Sequence, residues 1–442
     1  MRKKLTLASL VSLSTLPLVM PSNDASAFPV FARKYQTSCY TCHSGFPARN
    51  AFGEAFKNNG YRWPGGDDEE HARQEQVKLG SDGWKKVFPE SPWPGDIPGY
   101  APVSLFVTGG VINYTEGTSA TKSRVNWGNM ATGNLLFGGT IGDNLSVVAA
   151  LEGFADNNVT IASKDAYGNT LAEGKEFGTS KLASRVRAVW SFSPGVLVSV
   201  GNWASNISGA GSSTGGTANV SNVLPTPGTG IELSWTRGNT GGFNVVAGVS
   251  SNTTTPGSTT VNQDTFNGDS QLDDLRYVRA KYKLFGSGLL SGAGGVYGNE
   301  YNGLDNSITI GCGIMNSRQM TTATALTGNY KGESLFYGGD ILATFSDFTG
   351  GVALSRDKDL RQNNFMADAG YYIYPWLYAK LRYSDVYNGN GRYHNPTYTP
   401  SITAYLRANV YLQASYTAYA YKYSSGTTEN QDTLALNVAI GL

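Results

Sequence analysis

With 442 residues carrying 34 Lys+Arg against 33 Asp+Glu, the chain is long enough for a large domain and lacks the basic surplus of a nucleic-acid-binding protein. Only 15% of residues are charged, Gly reaches 55 and Tyr (26) outnumbers Phe (18), far from the ~25% charge and ~7% Gly of an average soluble domain. After the first 27 residues no apolar run approaches the ~18 needed for a spanning helix, which excludes a helical membrane protein.

Residues 1–27 read as a secretory signal. Arg2, Lys3 and Lys4 precede an apolar run from Leu5 to about Met20, and Ala25-Ser26-Ala27 is a small-x-small cleavage site. The mature chain is then expected to begin near Phe28, in a compartment that tolerates oxidising chemistry.

The next segment, 28–100, carries Cys39-Tyr40-Thr41-Cys42-His43. C-x-x-C-H is the spacing that attaches a c-type haem: two thiols add to the porphyrin's vinyl groups, and the adjoining imidazole reaches the iron. A redox dithiol would want a βαβ context, and zinc a second pair of ligands at compatible spacing. The remaining Cys is Cys312, and the remaining histidines are His71 and His394. Cys39 and Cys42 are therefore expected to hold one covalent haem c, with His43 as proximal iron ligand.

Downstream, Phe46 to Tyr61 predicts a helix with Pro47 in its first turn. Ala48, Phe52, Ala55 and Phe56 share one face and Asn59-Gly60 forms the end. That face either lies against a porphyrin or forms an ordinary core; about seventy residues have little core without a cofactor. No Met lies between Phe28 and Tyr100, so His71 is the expected distal iron ligand. The alternatives are an exposed His71 with the iron ligated from the lumen or left open. Trp93-Pro94-Gly95-Asp96-Ile97-Pro98-Gly99 reads as a stiff linker.

From 101 to 442 the texture becomes segments of about ten residues with period-two alternation. The last is clearest: Leu434, Leu436, Val438, Ile440 and Leu442 alternate with Thr433, Ala435, Asn437, Ala439 and Gly441. Apolar on one face and small or polar on the other is what a lipid-facing strand around an aqueous lumen requires. Sixteen such segments are expected, the ninth at 289–299, with short connections such as Asp143-Asn144 and Ser346-Asp347 alternating with long Gly/Ser/Thr/Asn tracts. Over 342 residues (101–442) this leaves about 21 per strand plus connection, compatible with the ~9–11 a spanning strand needs.

Aromatic residues gather near the expected strand ends, among them Trp190, Phe192, Tyr371, Tyr372, Tyr374, Trp376, Tyr378 and Tyr411, as an interfacial girdle would. Lys181, Arg185, Arg187, Arg279, Lys281, Lys283, Lys380 and Arg382 fall on inward faces and predict a basic lumen stripe. It either lines a polar wall or holds an occupant, namely haem propionates or the acidic run Asp67-Asp68-Glu69-Glu70. His394 is expected to decorate an outer loop, and Cys312 to lie between strands nine and ten.

Phe31-Ala32-Arg33-Lys34-Tyr35, Cys39 to His43, Phe46-Pro47, Asn50-Ala51-Phe52-Gly53, Phe56 and Asn59-Gly60-Tyr61, followed by a barrel, resemble the fused outer-membrane cytochrome-porins, whose best-known members are iron-oxidising cytochromes. The resemblance is detailed over Phe31–Tyr61 and architectural beyond. It implies an all-β outer-membrane protein: a roughly 16-stranded antiparallel transmembrane barrel with a small α-helical cytochrome domain plugging the lumen. It also implies an electron conduit, an iron(II)-cytochrome c oxidoreductase, taking electrons from extracellular ferrous iron or another redox partner to a periplasmic cytochrome or other carrier. The chain departs from many such barrels in ending on Leu442 rather than Phe. The competing class is a diffusion or uptake porin whose haem domain gates the pore or senses redox state; a third is a soluble secreted haem β-protein.

Overall fold

Antiparallel pairing of the period-two segments runs from Val103–Glu116 round to Thr428–Gly441, and these two pair with each other (Val107 opposite Ile440), closing a barrel. The structure is a computed structural model describing residues 28–45, 48–65, 68–72, 102–116, 122–127, 132–152, 158–164, 170–177, 183–201, 226–227, 229–251, 253–254, 274–291, 305–321, 330–358, 362–388, 393–407, 410–422 and 428–441. The expected signal (1–27) and proline-rich linker lie outside these residues. Seventeen segments form the ring, but Lys122–Trp127 and Thr132–Ile141 pair in tandem with the same strand, Val103–Glu116, so they share one place and leave sixteen positions.

Closure satisfies the backbone in lipid, where no sheet edge can be left bare. Alternation then decides what each face meets. On the final strand Leu434, Leu436, Val438 and Ile440 are exposed outward, while Ala435 and Ala439 are buried inward. Leu233, Trp235, Val249, Ile314, Leu354 and Leu381 continue this exposed apolar exterior around the ring. Trp190, Phe192, Phe345, Phe348, Tyr374 and Trp376 face out beside the short turns, where an interfacial girdle belongs. A closed barrel with an apolar outer band resides in the bacterial outer membrane; an even strand number brings both barrel ends to the periplasmic side with the short turns.

Of the expected ninth strand, Leu289 and Leu290 form a turn and 292–299 lie outside the described residues; the strand between Asp274–Ser287 and Tyr330–Phe345 is Ser307–Thr321. The turn is fixed by backbone bonds from Leu289 N–H to Gly241 O (3.0 Å) and Leu290 N–H to Gly238 O (3.2 Å). Gly311 and Gly313 on the inner face and Cys312 on the outer face dilute the strand's apolar signal, while Leu289 is buried as an anchor. Cys312 is thus an exposed thiol on the outer face, not a loop residue. His394 belongs to the strand Tyr393–Arg407 rather than to a loop.

The N-terminal domain contains helices α1 (Pro29–Lys34), α2 (Ala51–Asn58) and α3 (Asp68–His71) and a small hairpin, His43–Gly45 with Ala48–Arg49. Helix α2 begins later than Pro47, because Ala48 and Arg49 pair with the motif strand and Asn50 caps the helix by accepting from Gly53 N–H (2.9 Å). Its buried face includes Phe52, Ala55 and Phe56 as expected, whereas Ala48, expected on the same face, lies in the hairpin strand, and Gly60 ends the helix at φ +73°.

Inward-facing and mouth residues around the ring hold this domain. Lys34 Nζ donates to Thr140 Oγ1 (2.8 Å), Arg62 to the carbonyls of Gly142 (2.8 Å) and Leu145 (3.0 Å), and Ser146 Oγ to Gly60 O (2.6 Å). On another wall Asn58 and Asn59 donate to Leu289 O (2.9 Å) and Leu290 O (3.0 Å), and Tyr372 OH to Ser44 O (3.0 Å). Val148 packs with Val30 and Phe31 in one core. These wall positions adjoin the short turns, so the domain plugs the periplasmic end of the lumen.

Candidate cofactor site in the barrel mouth

A single 3₁₀ turn, Cys39–Thr41, closed by Thr41 N–H to Ser38 O (3.1 Å) and Cys42 N–H to Cys39 O (3.2 Å), carries the motif. In a 3₁₀ turn side chains three apart eclipse, so Cys39 and Cys42 project to one side, both half-buried and not joined as a disulfide. His43 follows on the hairpin strand, opposite Arg49. Asn50 pins the turn to α2: its Nδ2 donates to Tyr40 O (2.9 Å) and Thr41 O (3.1 Å), and its N–H to Cys42 O (3.0 Å).

Gly53 lets the helix come this close. A Cβ there would stand 2.0 Å from the Cys42 carbonyl oxygen, a backbone atom that cannot swing aside. Gly53→Ala is therefore expected to destabilise the plug by about 1–3 kcal/mol, read as faster proteolysis of the plug in folded barrels; unchanged digestion would contradict the packing.

Burial pushes the Cys39 thiol up, and burial together with the neighbouring Cys39 pushes Cys42 up to about 12. An oxidoreductase dithiol needs the opposite shift, toward thiolate, so the redox-dithiol reading is disfavoured. Among the described residues no three His, Cys, Asp or Glu side chains gather as a metal cage, whereas structural zinc takes four ligands.

Cys42 borders an aromatic core of Phe31, Tyr35, Phe52, Phe56 and Trp63. Trp63 meets Phe52 at 4.8 Å and Tyr35 at 5.1 Å between ring centroids, and His71 stacks on Trp63 at 4.4 Å and 20°. Helix α3 is held there by Asp68, which accepts from Lys34 Nζ (2.5 Å), Trp63 N–H (2.8 Å) and Tyr35 OH. Cys39 and Cys42 thus bracket one turn with His43 next on the hairpin strand, and His71 reaches the same core through Trp63 rather than as part of that segment.

These residues fit a covalently held porphyrin. Two eclipsed thiols adjoin an imidazole, apolar rings flank Cys42, and the buried Ser38 Oγ beside Cys39 has no hydrogen-bond partner among the described residues. Cys39 and Cys42 would hold the group and His43 would ligate its iron.

Of the expected basic stripe, Lys181 lies outside the described residues, while Arg187, Arg279, Lys281, Lys283, Lys380 and Arg382 face the lumen as expected, but their pairing differs. Arg187 is bound to Glu232 (2.7 Å), Arg279 to Asp340 (2.9 Å), Lys283 to Asp305 (2.5 Å), and Lys380 (3.2 Å) and Arg382 (2.9 Å) to Asp368. Asp68 of the acidic run is taken by Lys34 of the plug itself. Among the described residues, the barrel cation paired with the plug is Lys281, 3.4 Å from Glu54. The side chain of Arg185 lies outside the described residues.

Sequence parity also hid an inner tyrosine cluster. Tyr371, Tyr374 and Trp376 face lipid, but Tyr372, Tyr378, Tyr405 and Tyr411 turn inward and pack with Tyr40, the residue between the two cysteines. Tyr372 and Tyr378 are register partners with ring centroids 4.5 Å apart. Parity does not reveal the cluster, because the register shifts between Tyr372 and Tyr374 and both even and odd positions turn inward.

Fold and site together define a porin-like outer-membrane barrel whose periplasmic mouth is filled by its own N-terminal domain. No family model and no curated protein matches the chain. Among solved structures it is similar to the anion-selective porin from Comamonas acidovorans (13% identity, TM-score 0.46, covering 77% of this chain and 99% of that one). It is also similar to OprB of Pseudomonas putida (8%, TM-score 0.48, 77% and 94%) and to the channel DcaP of Acinetobacter baumannii (11%, TM-score 0.45, 77% and 96%). The likeness is one of fold.

Proposed function

We propose that this protein is an outer-membrane electron conduit, passing single electrons between an extracellular donor, ferrous iron foremost, and a periplasmic carrier through one covalent haem c. The observation that carries this reading is the placement of Cys39-Tyr40-Thr41-Cys42-His43 within a plug that hydrogen-bonds to the barrel wall on several sides. Hydrocarbon about 30 Å thick insulates the two compartments, so a redox group has to sit inside the lumen to link them. A haem bound here supplies a one-electron ferric/ferrous couple. The chain's own residues fix and bury it: Asn50 and Gly53 set the motif turn against α2, Tyr40 wedges that turn into the Tyr372–Tyr378 wall, and the aromatic core excludes water. His71, stacked on Trp63, would be the second residue able to ligate the iron, and a histidine there would lack methionine's potential-raising effect.

The second reading is a diffusion or uptake channel whose haem domain regulates passage; the polar, ion-paired inner wall favours it, since a lumen of this kind suits hydrated solutes. Planar-bilayer recording of the purified protein combined with optical spectroscopy separates the two. The conduit gives little conductance and a haem reduced by ferrous iron. Open-pore conductance that is independent of the haem's redox state would favour the channel and sink the conduit.

A further inference from the structure

Between α2 and the strands Ala183–Ser193 and Asp274–Ser287 the plug meets the wall across a pool of positive charge. Arg49 Nε lies 2.7 Å from Glu54 Oε1, and Lys281 Nζ lies 3.4 Å from Glu54 Oε2. Lys57, three residues beyond Glu54 and so on the same helix face, joins them. Arg187 and Arg279 stand behind, each already bound to its own barrel carboxylate, Glu232 and Asp340. Among the described residues, three basic groups, Arg49, Lys57 and Lys281, thus gather around one carboxylate, Glu54, so that basic groups outnumber acidic ones where α2 meets the wall.

The surplus is felt on Lys57. Burial, then Arg49, and further Arg187 and Lys281 drive its ammonium well below the usual lysine range, against the pull of Glu54. Glu54 itself is held well below the carboxylate range, because Arg49, Lys281 and Lys57 outweigh its burial. Charge left in excess inside a low-dielectric enclosure is costly unless a counter-ion shares the space.

We propose that this cluster is an anion site, taking an oxyanion or a pair of carboxylates, with Arg49, Lys57 and Lys281 as its binding groups. Two sources have that chemistry. One is a free oxyanion entering from the periplasm. The other is the two propionates of a haem attached at Cys39 and Cys42, since Arg49 is the register partner of His43 and its charge reaches the Cys42 thiol. The site does not require the haem: only its second source rests on the proposed function.

The probe is inorganic phosphate, titrated calorimetrically into the full-length protein in detergent, as wild type and as the Cys39→Ser/Cys42→Ser double variant. A free-oxyanion site binds phosphate in both proteins. A site filled by propionates binds it in the double variant but not in haem-loaded wild type. In either case Lys57→Met, introduced into the protein that binds, weakens phosphate at least tenfold and Lys57→Arg restores it, with heat-modifiable gel mobility reporting barrel folding. Absence of phosphate binding in both proteins, or binding indifferent to Lys57→Met in a folded barrel, overturns the proposal. Covalent haem is scored separately by intact mass, so failure of the anion site is distinguishable from failure of haem attachment.

Discussion

Cys39→Ser/Cys42→Ser is expected to remove the covalent porphyrin mass and the haem optical spectrum completely while leaving a folded, heat-modifiable barrel. In the proposed function the two thiols would be the attachment points, and nothing in the barrel's closure depends on them: its ladder runs from Val103 to Gly441 without the plug. The plug should suffer more than the barrel. Cys42 borders the core of Phe31, Phe52, Phe56 and Trp63, and a domain of this size gains a large fraction of its apolar contacts from a cofactor. Limited proteolysis of the double variant should therefore release plug fragments while the barrel resists. A double variant that still carries haem, or a wild type whose two thiols are both alkylated by iodoacetamide, would remove the basis of the electron-transfer reading.

Lys34→Met is expected to cost the plug about 3–5 kcal/mol, because breaking a buried ion pair from one side leaves the other charge uncompensated. Lys34 is 1% exposed and Asp68 8%; their 2.5 Å contact, joined by Thr140 of the barrel, links α1, α3 and the wall. Arg62, 3.9 Å from Asp68, makes up only part of the loss. Burial works against the Asp68 carboxylate, but Lys34, Tyr35 and the Trp63 N–H outweigh it and hold it below its ordinary value of 3.8. A depressed folded-state value means that the stabilisation is complete above about pH 4 and disappears as pH falls through that depressed value. Protease protection of the wild-type plug should drop in that acid window, and Lys34→Met should be weakly protected already at neutral pH. A variant digested at the wild-type rate would show that the pair does not hold the plug in place.

The barrel was legible because its physics repeats. Each spanning strand shows alternation, and an error at 289–299 left the count intact, since closure and the neighbouring strands constrain it. That error came from reading Leu289-Leu290 as a strand when the pair anchors a turn beneath α2, while the true strand is thinned by Gly311 and Gly313. The motif Cys39 to His43 was legible because its spacing encodes a chemistry. Less visible was what holds it: Asn50 bonding to two motif carbonyls, Gly53 admitting the helix, and Tyr40 packed with Tyr372 and Tyr378. The Asn50 and Gly53 contacts are local but depend on the turn folding back onto the helix, and the Tyr40 contact joins residues more than three hundred positions apart, so no periodic pattern announces them. The lumen charges show the same limit: inward parity was readable, but whether Arg187 meets Glu232 or the plug depends on register between strands.

Vectorial electron transfer in proteoliposomes tests the central claim most directly. Vesicles carrying the protein and an entrapped soluble electron acceptor are given ferrous iron outside. The account predicts reduction of the entrapped acceptor through wild type at a rate that falls to the protein-free background with Cys39→Ser/Cys42→Ser, while entrapped small solutes stay inside. Equal rates through wild type and the double variant, or leakage of solutes through wild type, would contradict it.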